Sequence, residues 1–218
     1  MAQLFRAKAF LLNETGSRNV AEAANAVGAR VIGISTDYVF DGELDRPYRE
    51  SDEPRPRTVY GASKLAGERA IAAVLPESHT ILRIAWLYGG DGPSFVHTML
   101  KLGSQDGAPL KVVNDQIGNP TSTDAVADLL AWLLEHPMNG VVHGSCEGEA
   151  SWYEFTQAIF AMAGLKRGVV PCTTAEYPRP APRPANSRLE KTRLHEVGHD
   201  TPDWPEALSA FFKERKAS

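Results

Sequence analysis

The sequence predicts an α/β fold: a largely parallel sheet with helices on both faces, joined to a smaller, irregular C-terminal lobe. Two observations predict the sheet. Short aliphatic and β-branched runs recur at 30–35 (RVIGIS), 80–85 (TILRIA), 111–113 and 141–143, and alanine- or leucine-rich stretches of helical period lie between them. The lobe is predicted by the proline-dense run YPRPAPRP at 177–184, which suits neither a helix nor a central strand and reads as a linker or a surface strap. At 218 residues, 43% hydrophobic and 23% charged, the chain can bury a core without staples.

Each element follows from local chemistry. Residues 20–27 (VAEAANAV) read as helix, with Gly28 as its stop. Residues 30–35 form a buried strand. Charges and Pro47, Pro54 and Pro56 make 41–58 a long loop, a kind of segment that often carries function. Residues 60–75 are rich in alanine, lysine and glutamate and form a helix that ends before Pro76. The strand at 80–85 follows. Then come a helix at 93–102, with Pro93 suited to a first turn, and a brief strand at 111–113. Residues 124–135 are helical, with Ser122 or Thr123 as cap and Pro137 behind. A short strand at 141–143 precedes an amphipathic helix at 152–163, capped by Ser151 and stopped by Gly164. A last helix covers 205–213. No internal repeat is evident.

Composition excludes several classes of function. A net charge of −4 offers no basic field for nucleic acid. No apolar run is long enough to span a bilayer, and MAQLFRAKAF lacks the features of a secretory signal. Cys146 and Cys172, far apart and outside any CxxC spacing, read as reduced thiols of a cytoplasmic protein.

The sharpest chemical feature is Tyr60-Gly61-Ala62-Ser63-Lys64. On a helix, positions four apart share a face, so the phenol and the ammonium group are expected side by side. A neighbouring cation favours the phenolate and would lower the tyrosine pKa, making the pair a usable proton donor and acceptor. Alone, this spacing is common on helix surfaces. Its context adds weight: the buried strand at 30–35 runs into Ser35-Thr36-Asp37, and in open parallel sheets ligands bind beyond the carboxyl ends of strands. A hydroxyl there can hydrogen-bond a substrate oxygen while the tyrosine protonates it.

Strand, terminal hydroxyl, polar loop and Tyr-x-x-x-Lys helix in this order resemble the short-chain dehydrogenase/reductase family in its extended form, and within it the dTDP-4-dehydrorhamnose reductases. The resemblance covers nearly the whole chain. It rests on STDYVFDG (35–42), VYGASKLAGE (59–68), LRIAWLYG (82–89), NDQIGNPT (114–121), SWYEF (151–155) and RPANSRL (183–189). It implies a Rossmann-like parallel sheet flanked by helices and a small C-terminal substrate lobe, divided at about residue 140: a partial nucleotide-binding domain at 1–140 and a substrate-binding lobe at 141–218. It implies reduction of a dTDP-4-keto-6-deoxysugar, dTDP-4-dehydro-L-rhamnose, by NADPH or NADH. Tyr60 would donate the proton to the C4 oxygen, Lys64 would hold the nicotinamide ribose and tune Tyr60, and Thr36 would hydrogen-bond the same oxygen. Asp37 and Trp86 would contact the sugar nucleotide, with Tyr38, Asn114, Gln116 and Arg183 as further substrate contacts. Some members bind Mg2+, for which no site is evident here, and a homo-oligomer is compatible with the pattern.

One departure stands out. The family opens with a glycine-rich turn whose backbone N–H groups cradle the cofactor pyrophosphate at a helix N-terminus. No such turn precedes Ser35, and Gly16, Gly28 and Gly33 have the wrong spacing. The matching begins near Ala9, so the first three strands of the sheet are expected to be missing. Weak dinucleotide binding and little reductase activity are expected with them. Two alternatives stand beside the reductase: a catalytically silent binding or regulatory module of the same fold, and an epimerase or dehydratase acting on another nucleotide sugar.

Other features have plainer readings. His195-Glu196-Val197-Gly198-His199 matches H-E-x-x-H, but Gly198 and Pro202 argue for a helix end rather than a zinc site. Trp152 and Phe155 read as one inward-packed helix face, Cys146 as a small buried residue, and Glu50, Asp52 and Glu53 as a charged loop.

Overall fold

The computed structural model describes residues 2–90, 92–177 and 183–217; most of the proline-rich run, at 178–182, lies outside them. The chain opens with helix α1 (Ala2–Phe10), which passes through a π-turn at Leu11–Thr15 into α2 (Gly16–Ala26). Helix therefore extends well ahead of the expected 20–27, because nothing between Ala2 and Ala26 breaks it. The π-turn is where α3 (Val59–Val74) comes closest: a Cβ on Gly67 would collide with the Asn13 carbonyl, and Asn13 Nδ2 donates to Ser63 Oγ at 2.9 Å.

The central sheet is parallel and three-stranded, ordered β1 (Val31–Thr36), β2 (His79–Ile84), β7 (Gly140–His143). Side chains alternate across it. Ile81 packs with Ala21, Ile71 and Leu75 of α2 and α3. Leu82 and Ile84 pack on the other face with Val126, Leu129 and Leu133 of α5 (Thr123–Glu135) and with Leu194 of α7 (Thr192–Glu196). Each such fully buried aliphatic side chain contributes about 1.5–3 kcal/mol. Ser122 caps α5, accepting from Ala125 N–H.

The second body is built around Tyr88, Val96, Phe155, Ile159, Leu208 and Phe211. These come from β3 (Leu87–Tyr88), α4 (Phe95–Gly103), α6 (Trp152–Ala163) and α8 (Trp204–Ala217). Small strand pairs stitch it together: β3 with β6 (Thr121–Ser122), β4 (Leu110–Val113) with β9 (Val169–Cys172), and β5 (Ile117–Gly118) between β8 (Ala150–Ser151) and β10 (Asn186–Ser187). The sequence shows only β4 among them: β3, β5, β6, β8 and β10 are two residues each and carry no periodic signal, and the four residues of β9 include Pro171. Ser151 and Glu154 form a capping box at the start of α6, and Gly164 ends it in the left-handed conformation.

Between sheet and α3 lies a buried ion pair. Arg83 Nε and Nη2 donate to Glu68 at 3.0 and 2.6 Å, and Ser35 Oγ also donates to Glu68. Both charged side chains are under 10% exposed. Arg83 also lies over the Phe40 ring, 5.0 Å from its centroid. Removing one partner leaves the other charge buried and uncompensated. Glu68→Gln should therefore cost about 3–5 kcal/mol in urea denaturation, and replacing both partners with apolar residues (Glu68→Leu with Arg83→Met) should recover most of that.

Candidate functional site

A cavity of about 630 Å³ opens at the carboxyl end of β1. Eight of the nine residues singled out by sequence line it: Thr36, Asp37 and Tyr38 after β1; Tyr60 and Lys64 on the first turns of α3; Trp86 after β2; Gln116 before β5; and Arg183. Asn114 does not. It is exposed, and its Oδ1 accepts from Ser151 Oγ at 2.7 Å. The structure adds lining residues that the sequence reading left out, among them Phe95, Met99, Ser187 and Trp152. Trp152 was expected to pack inward with Phe155. Both do: Phe155 is fully buried, and Trp152, half-buried, packs against the same core while also lining the cavity. No linear signal separates these two aromatics, because the rim is formed by elements distant in sequence.

Local structure fixes the aim of each group. Thr58 caps α3, accepting from Gly61 N–H at 3.0 Å, and Gly61 lets α3 approach so closely that a Cβ would strike the Tyr38 carbonyl. That contact sets Tyr60 beside Tyr38, their rings edge to face at 5.6 Å. Thr36 caps the short 3₁₀ turn Asp37–Val39: its Oγ1 accepts from Tyr38 N–H at 3.2 Å and donates to Asp37 Oδ1 at 2.9 Å. Asp37 is 5% exposed, and its Oδ2 has no hydrogen-bond partner. A buried carboxylate oxygen left open on a cavity wall suits a ligand hydroxyl.

The Tyr60–Lys64 pair differs from expectation. Lys64 Nζ donates to the Ile34 carbonyl at 2.6 Å, so the ammonium group is held against the end of β1. Burial raises the Tyr60 pKa. A hydrogen bond with Thr36 opposes the rise and the Asp37 charge adds to it, and no lowering by the lysine results. Burial lowers the Lys64 pKa, opposed by the charge of Glu68. Burial also lifts the Asp37 carboxyl to about 6, against hydrogen bonds from Ser187 and Thr36.

Other motifs resolve plainly. His195 Nε2 meets Glu147 Oε1 at 3.0 Å, whereas His199 stacks on Trp132 with ring centroids 4.1 Å apart, so the two histidines diverge. Gly198, at φ 72°, ends that helical segment. Cys146 is fully buried, and burial raises its thiol pKa to about 11. Asp52 pairs with Arg46. Among the described residues no cluster of three or more His, Cys, Asp or Glu is placed to hold a metal ion, and no helix is long and apolar enough to cross a membrane.

A parallel sheet with covering helices and a Tyr-x-x-x-Lys helix over its carboxyl rim defines a Rossmann-like protein of the short-chain reductase type. Comparison with known proteins makes the assignment specific. The family described as RmlD substrate binding domain matches residues 2–217. The chain is 43% identical to the spore coat polysaccharide biosynthesis protein SpsK of Bacillus subtilis over 211 residues, which cover 97% of this chain and 74% of that protein. It superimposes on a dTDP-4-dehydrorhamnose reductase of Clostridium acetobutylicum with a TM-score of 0.93 at 43% identity, covering 97% of this chain and 75% of the other. The dTDP-4-dehydrorhamnose reductase of Bacillus anthracis, solved in complex with NADP, also gives 0.93, at 39% identity and with 98% and 75% covered. The chain belongs to the RmlD substrate binding domain family.

The raised Asp37 pKa has a definite sign for stability. The folded state binds this proton more tightly than the unfolded chain does, so the carboxyl costs stability as pH rises from about 4 through about 6. Asp37→Asn should match wild type near pH 3 and exceed it by up to about 3 kcal/mol near pH 7, read by denaturant melts across pH.

Proposed function

We propose that this protein reduces a nucleotide-linked keto sugar, dTDP-4-dehydro-L-rhamnose, to dTDP-L-rhamnose with NADPH or NADH as the reductant. The observation that carries the reading is the convergence of Thr36, Tyr60 and Lys64 with Asp37, Tyr38, Trp86, Gln116 and Arg183 on one cavity, in a chain of this family. Relatives named as dTDP-4-dehydrorhamnose reductases support the substrate class, and the Bacillus anthracis structure with NADP supports the cofactor class.

The residues fit one end of that cofactor. Lys64 has two N–H bonds beyond the one on Ile34, and with Tyr60 it suits the hydroxyls of a nicotinamide ribose. No glycine lines the cavity, so these walls offer no glycine-rich cradle for a pyrophosphate. When bound, the cofactor supplies the hydride to C4; the chain's own groups do the rest. Arg183 is a cation available to the diphosphate, and the open Asp37 Oδ2 accepts from a sugar hydroxyl. The Thr36 hydroxyl, which donates to Asp37 without ligand, turns to the C4 oxygen. The Tyr60 O–H lies on the same side and gives that oxygen its proton.

The raised Tyr60 pKa suits this direction of reaction. A reducing enzyme needs its donor protonated at rest. The alkoxide developing at C4 is a far stronger base than any phenolate, so the proton still moves downhill.

At high NADPH concentration, with dTDP-4-dehydro-L-rhamnose present, NADPH absorbance should fall with time. Tyr60→Phe should lower kcat by about 10²–10⁴-fold with little change in KM for the sugar nucleotide. Full turnover in that variant would refute the assigned proton donor.

A further inference from the structure

Helix α3 meets β1 about once per turn. A Cβ on Gly33 would lie 2.7 Å from Ile71 Cδ1, so the absent side chain leaves room for Ile71 against the strand. One turn earlier on α3, Glu68 accepts from Ser35 Oγ, and one turn before that, Lys64 Nζ donates to the Ile34 carbonyl at 2.6 Å. Ser35 is the ladder partner of Arg83 on β2, so Glu68 is gripped from two neighbouring strands at one level of the sheet. Lys64 and Glu68, four residues apart, share the helix face that makes these contacts. The apolar contact at Gly33 tolerates a small slide of the helix. A guanidinium forked onto a carboxylate does not. An ion pair this deep adds little stability that apolar side chains of similar volume could not supply. Its use lies in what it positions, and the functional group nearest to it along α3 is the cavity lysine.

We propose that Glu68 is a positioning residue for the Tyr60–Lys64 pair: clamped by Arg83 and Ser35, it sets the register of α3 on β1 and holds a carboxylate one helical turn from the Lys64 ammonium group, seating that group at the cavity edge. The inference rests on the reductase reading for the use that Lys64 is put to, and deepens it. Glu68 is buried and outside the cavity lining, so it acts through Lys64. Burial lowers the Lys64 pKa, and the Glu68 charge opposes that fall. The other charged or titratable groups at this site, among the described residues, are Tyr60 on the same helix, Asp37 and Tyr38 after β1, Arg83 on β2 and Arg183 before β10.

The test needs a stable chain without the clamp. Glu68→Leu with Arg83→Met keeps most of the stability by the argument above, so a pair with only a structural role would leave the site unchanged in it. The pH profile of trace acetylation at Lys64, read by mass spectrometry against the exposed Lys111, requires no turnover. In the double variant this profile should move to lower pH. With NADPH and dTDP-4-dehydro-L-rhamnose, kcat should fall about 10–100-fold with little change in KM for the sugar nucleotide. Ser35→Ala, which frees Glu68 from β1 and leaves the Arg83 pair in place, should move both readouts the same way by less. It decides the matter if the double variant does not fold.

A stable double variant with the wild-type acetylation profile at Lys64 overturns the proposal, and so does wild-type kcat in that variant. The same results in Ser35→Ala overturn it where that variant alone folds. Both leave the reductase reading standing. A wild-type chain that oxidises no NADPH overturns that reading instead, and the Lys64 profile then judges the clamp by itself.

Discussion

The site depends on one buried carboxylate. Glu68 takes two hydrogen bonds from Arg83 on β2 and one from Ser35 at the end of β1, and so locks α3 to the carboxyl rim of the sheet. Lys64 and Tyr60 lie one and two helical turns before it on the same helix, so their placement over the cavity follows from that lock. A pair this deep gains little net energy over an apolar replacement, because desolvation offsets its attraction. What it does provide is register. An apolar contact tolerates sliding by a fraction of a turn, whereas a forked guanidinium–carboxylate pair does not. Close approach at Gly61 and Gly67 holds the same helix at two further points, against the Tyr38 and Asn13 carbonyls.

The sheet and its helices were legible because each has a period. The strands β1, β2 and β7 and the helices α3, α5 and α6 lie close to where alternation, caps and prolines put them. Of the small strands of the second body only β4 was legible, since the two-residue strands cannot show a period and the pairing joins segments up to about 70 residues apart, as in β5 with β10. The site was legible to the extent that its chemistry is local. Tyr60 and Lys64 share a helix, and Thr36, Asp37 and Tyr38 follow one strand. Helical spacing placed Lys64 on the right face but not on its partner, because the competing acceptor, the Ile34 carbonyl, comes from a strand 30 residues earlier. Asn114 lies off the cavity, and Trp152 adds a cavity contact to its core packing, for a similar reason: burial is decided by what lies opposite, and a single chain pattern does not name it.

Burial perturbs ionisation throughout this region, with opposite signs for acids and bases. Asp37 is pushed toward its neutral form, while His143, buried near Arg83, is pushed down to about 3 and is likewise neutral. The two have opposite consequences for stability: Asp37 favours the fold at lower pH, whereas His143 favours it above the ordinary histidine pKa and loses that advantage as pH falls toward 3. Both reflect one property of the medium. The walls at the end of β1 penalise net charge unless a partner is fixed in place, as Glu68 is for Arg83.

That property bears on the chemistry. On the proposed function, a medium that disfavours isolated charge holds the Tyr60 phenol protonated before reaction, and it raises the cost of an unprotonated alkoxide at C4 even more, since that anion is smaller and more basic than a phenolate. Proton transfer from Tyr60 relieves the larger penalty by accepting the smaller one. On that reading the Lys64 cation matters most after transfer, when a Tyr60 phenolate near the Asp37 charge needs compensation. Lys64 is held on the Ile34 carbonyl, one helical turn along α3 from Tyr60. On the proposed function the lysine thus serves the product state of the proton donor and need not lower the tyrosine pKa in the resting site.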